Sequence, residues 1–70
     1  MAKELKYQVV VSNVGTVYVG NNYRTACKHF EECKKLIKAN YGRFAGEMVY
    51  ILAHDFIDKE YYSKDYNFDV

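Results

Sequence analysis

A chain of 70 residues in which half are hydrophobic, with eight Tyr and four Phe, is too apolar for disorder and long enough for a single domain. Ten basic residues against nine acidic ones leave a formal net charge of +1, so no general field draws in nucleic acid or an anionic membrane surface. Residues Met1 to Lys6 contain no apolar leader core, and no run approaches the roughly 18 apolar residues of a membrane span, so a cytoplasmic protein is expected.

From Leu5 to Ser12 the residues alternate, with Leu5, Tyr7, Val9 and Val11 on one face and Lys6, Gln8, Val10 and Ser12 on the other, the pattern of a half-buried strand. Ser12-Asn13-Val14-Gly15 reads as a tight hairpin turn in which Gly15 takes a positive φ. Thr16 to Val19 returns as a second strand. Strict alternation there places Val17 with Val19 and puts Thr16 with Tyr18 on the opposite face. Gly20-Asn21-Asn22 breaks the strand, and either Asn can cap a helix through its side-chain oxygen.

That helix extends from about Tyr23 to Asn40. At 100° per residue, Tyr23, Ala26, Cys27, Phe30, Cys33 and Ile37 form one stripe, and Arg24, Lys28, Glu31, Glu32, Lys35 and Lys38 cover the opposite side. Gly42 stands where a left-handed residue ends the helix. A third strand follows from Glu47 to Ala53, with Val49 and Ile51 on one face and Met48, Tyr50 and Leu52 on the other. A turn at Ala53-His54-Asp55-Phe56 leads to a fourth strand from Phe56 to Tyr62. The expected fold is α+β: ββαββ in residues 1–62, an antiparallel sheet of three to four strands with one helix packed on one face, then a tail in residues 63–70. So small a core implies stability that is marginal or shared with a partner.

No combination of residues assembles an active site. Cys27 and Cys33 are separated by about 9 Å of helical rise, too far for a disulfide, which fits a reducing compartment. His29 and Cys33 at i, i+4 offer two metal ligands where a closed site needs four, and no orienting group or oxyanion loop accompanies either thiol. The glycines of Gly42-Arg43-Phe44-Ala45-Gly46 could expose amides to an anion, but this loop follows a helix where phosphate loops precede one. Arg24, Lys28, Lys34, Lys35 and Lys38 give the helix a basic side that Glu31 and Glu32 interrupt. No catalytic residue, metal or cofactor is therefore assigned.

One helix covers one face of such a sheet, yet the strands carry apolar and aromatic groups on both. With the phases above, Val10, Tyr18, Tyr50 and Leu52 collect on the face away from the helix, an area of the size that marks an interaction surface. A second copy, a heterologous partner, or the tail aromatics Tyr66 and Phe68 could cover it. Leu36, on the shoulder of the helix, and Arg43 are further contact candidates. Tyrosines on a sheet also stack on bases, so a single-stranded nucleic-acid binder is the alternative reading.

The run Asn13-Val14-Gly15-Thr16-Val17-Tyr18, the Asn-capped helix bearing Ala26 and Phe30, and Gly42-Arg43 with Gly46-Glu47 entering a strand resemble small proteins encoded by tailed bacteriophages. The resemblance covers about residues 7 to 61. It implies a small accessory protein made in an infected bacterium that binds and disables a host protein, such as a restriction, CRISPR or other defence component. The lack of catalytic groups and the spare sheet face add the expectation of a non-enzymatic cytoplasmic homodimer. Tyr18, Tyr50, Arg43, Leu36, Tyr66 and Phe68 are the expected contact residues. Those phage proteins commonly carry Asp-Gly in the turn before the last strand, where this chain has His54-Asp55.

Overall fold

Two central strands built from alternating β-branched residues carry the fold. The computed structural model describes residues 6–66, so Leu5 at the expected start of the first strand and Phe68 in the tail lie outside the described residues. The elements are β1 (Tyr7–Val11), β2 (Gly15–Gly20), α1 (Tyr23–Lys38), a single 3-10 turn (Gly42–Phe44), β3 (Met48–Ala53) and β4 (Phe56–Tyr62). The sheet order is β2-β1-β3-β4 and every neighbouring pair is antiparallel, an α+β fold of the expected ββαββ type.

β1 and β3 lie at the centre, and their helix-side residues Val9, Val11, Val49 and Ile51 are fully buried. Ala26, Phe30, Cys33 and Ile37 recur at spacings of four, three and four, and these are the buried residues of α1. They close one continuous core with the four strand residues.

The Asn22 side chain caps α1 by accepting from the Thr25 amide at 3.1 Å. At the other end α1 stops at Lys38 with Ala39 as cap, two residues before the expected Asn40. Asn40 itself adopts the left-handed conformation, φ 52°, the role expected of Gly42. The Tyr41 amide donates to the Leu36 carbonyl (3.0 Å) and the Asn40 amide to that of Ile37 (3.1 Å), the paired closure of a Schellman motif. Gly42 is also at positive φ, 51°, and opens the 3-10 turn.

Each edge strand contains a bulge. On β2, Val9 opposes Tyr18 but Val10 opposes Thr16, so Val17 is the inserted residue. Val17 and Tyr18 consequently both pack against the core, and Val19, opposite Gln8, turns to the other face. This reverses the expected placement of Tyr18 and Val19. On β4, Ile51 opposes Lys59 and Leu52 opposes Ile57, which makes Asp58 the insertion. A bulge twists an edge and interrupts its row of free amides, so neither edge offers a regular template for a further strand.

The hairpin between β1 and β2 closes with the Val14 amide donating to the Val11 carbonyl, with Asn13 at φ 66°. The Glu47 carboxylate grips this hairpin from the start of β3. It accepts from the Ser12 hydroxyl at 2.6 Å and the Asn13 amide group at 3.4 Å, while Ser12 Oγ accepts from the Met48 amide at 3.0 Å.

Candidate interaction surface

Residues opposed in an antiparallel ladder share a face, so the register defines the side of the sheet that α1 leaves open. Across the strands it reads Val19, Gln8, Leu52, Ile57, then Thr16, Val10, Tyr50, Glu60, then Met48 with Tyr62. Val10, Tyr50 and Leu52 are half-buried by their neighbours, and Val19, Ile57 and Tyr62 keep 55%, 50% and 37% of their area in water. The Tyr66 ring lies 5.2 Å from that of Tyr62, so residues 63–66 bring an aromatic ring back to one corner of this face. Glu60 is the single formally charged side chain in these rows, and the Tyr62 hydroxyl donates to it at 3.0 Å.

Of the sequence-derived contact residues, Tyr50 stands in the middle of this face and Tyr66 borders it. Tyr18 does not. Its ring stacks on His29 on the helix side, with centroids 5.0 Å apart and planes 19° apart, and its hydroxyl points to the Asn22 carbonyl. Leu36 is half-buried on α1, away from the sheet's open side, and Arg43 is exposed in the 3-10 turn. The structure thus gathers Tyr50 and Tyr66 and separates them from Tyr18, Leu36 and Arg43. Reasoning from alternation missed Val19, Ile57 and Tyr62. Ile57 and Tyr62 differ in parity along the chain, and only the Asp58 insertion brings them to one side.

The helix side carries different chemistry. Tyr23, at the start of α1, packs its ring 5.1 Å from that of Tyr7 and donates its hydroxyl to Asp58, tying the helix to the bulge of β4. That hydrogen bond to Asp58 raises the Tyr23 pKa, with a smaller contribution in the same direction from Cys27. Burial pushes the Cys33 thiol up, and the Glu32 carboxylate adds to the shift, so it is held protonated at neutral pH. His29, one half of the possible ligand pair, is engaged with Tyr18. Among the described residues no group of three or more His, Cys, Asp or Glu side chains comes together to hold a metal.

In the loop after α1, the Phe44, Ala45 and Glu47 amides donate to the Tyr41, Gly42 and Phe44 carbonyls. Those amides are turned inward and form no concave anion nest. No helix among the described residues is long and apolar enough to cross a membrane. Comparison with protein-family models, with curated proteins and with solved structures returns no match.

Proposed function

We propose that this protein is a non-enzymatic binding module that docks through the open face of its sheet. The observation that supports this reading is the set Val10, Val19, Tyr50, Leu52, Ile57 and Tyr62, six apolar or aromatic side chains on the face that α1 leaves open, with Tyr66 packed at its Tyr62 corner. Both sheet edges are bulged, which leaves the face as the route for association. The face is nearly free of charge and so matches a second copy of itself across a two-fold axis, giving a homodimer. The resemblance of its sequence to phage accessory proteins supports reading it as a protein of the host bacterial cytoplasm that blocks a host defence protein by steric competition.

Sedimentation velocity across concentrations tests the reading, with Tyr50→Lys as the variant. The wild type sediments as a dimer and Tyr50→Lys as a folded monomer, because Tyr50 lies at the centre of the face and outside the core. A wild type that stays monomeric up to high micromolar concentration would overturn the dimer. The nucleic-acid reading retains Tyr50 and Tyr62 but loses Tyr18 from the face, and nothing in these rows supplies a cation to hold phosphates.

A further inference from the structure

On the opposite side of the sheet, between the end of α1 and the end of β4, lies a cleft of about 280 Å³. Ile37 supplies an apolar wall, Tyr61 an aromatic one, and Lys38, Asn40, Lys64 and Asp65 its polar margin. Lys34, one helical turn earlier and outside the lining, reaches the same aromatic wall, so that the Lys34 and Lys38 ammonium groups stand 5.4 Å and 5.7 Å from the centroid of the Tyr61 ring. Lys34 and Lys38 are an i, i+4 pair of like charge, an arrangement that disfavours an isolated helix by a few tenths of a kcal/mol. With Lys64 in the lining, three lysines border this cleft, whose lining holds one carboxylate, that of Asp65.

Ser63, also in the lining, is buried, and its hydroxyl accepts from the Asp65 amide at 3.2 Å while retaining its own proton to donate. The carbonyls ending α1 are engaged by the Schellman bonds, which blunts the negative end of the helix that would otherwise repel an anion. We propose that this cleft is a binding site for a phosphate group, held by Lys34, Lys38 and Lys64 as point charges and by the Ser63 hydroxyl as a directed donor. The proposal is independent of the open face and stands whether or not that face dimerises.

Titration of the full chain with sodium pyrophosphate at low ionic strength, followed by NMR of the Tyr61 ring and the Ser63 to Asp65 amides, tests it. Saturable shifts confined to these groups are expected, weakened about tenfold in Lys38→Gln and in Lys64→Gln. Both lysines are exposed, so both variants keep the fold, and Lys28→Gln, about 15 Å up the helix, leaves the titration unchanged. Shifts that grow without saturation, or that fall equally with all three substitutions, mean diffuse screening and overturn the site. A parallel titration with a ten-residue oligothymidylate separates the two sources of the phosphate. The same residues responding at lower concentration identify a nucleic-acid backbone, and a response to pyrophosphate alone identifies a free phosphorylated ligand.

Discussion

His54 occupies the first position of the two-residue turn between β3 and β4 at φ 65°, a conformation that costs an L residue about 1–2 kcal/mol. Glycine adopts it freely but loses more entropy on folding, so His54→Gly is expected to stabilise the fold by about 0.5–1 kcal/mol, read from the midpoint of urea unfolding. Gly20 presents the opposite case. A Cβ built there stands 2.4 Å from the Tyr18 hydroxyl oxygen, so the phenol ring lies directly over this glycine. Gly20→Ala is expected to displace the Tyr18 ring from His29 and to cost about 1 kcal/mol, seen as loss of the ring-current shift on the His29 protons. Both residues were readable as turn and strand-end positions in the sequence. The phenol ring over Gly20 was not, because it depends on Tyr18 turning inward.

At the scale of elements, the helix and all four strands were legible because their periods are strong. The core positions of α1 repeat at helical spacing, and β3 alternates as Val49 and Ile51 against Met48, Tyr50 and Leu52. The bulges were hidden because an inserted residue leaves no mark in composition: Thr16-Val17-Tyr18-Val19 reads equally well as an unbroken alternation. One extra residue then exchanges the face of every side chain beyond it. The bulge on β4 also aims Asp58 at the Tyr23 hydroxyl, which has a consequence in alkali. Tyr23 has a pKa raised above its usual 10.0 in the folded chain, chiefly by Asp58. The native state therefore holds the phenolic proton more tightly than the unfolded chain, a stabilisation complete below pH about 10 and lost as pH climbs through the folded value. Unfolding experiments above pH about 10 are expected to show falling stability, with a shallower fall in Tyr23→Phe.

For the molecule as a whole, the two sides of the sheet do separate work, and substitutions on them are expected to separate cleanly. Ile37, 1% exposed, is sealed between helix and sheet, so Ile37→Ala is expected to cost about 2–5 kcal/mol in thermal or urea unfolding. On the open side, Leu52→Lys is expected to leave the unfolding midpoint of the isolated protomer within about 0.5 kcal/mol while changing its sedimentation. A core so concentrated on one side makes the helix indispensable to folding and frees the far side for contact.

The Val17 insertion acts as a phase shifter. Removing that one codon would restore an uninterrupted pleat while keeping Tyr18 opposite Val9 on the helix side and Val19 opposite Gln8 on the open side. Strand order and hairpin connectivity would survive such a deletion, and the losses would be the isopropyl group of Val17 from the border of the core and the added twist of the edge strand. The insertion thus reconciles an alternating run of sequence with the face each side chain must take, and a straightened border would present the regular row of amides that the bulge now interrupts.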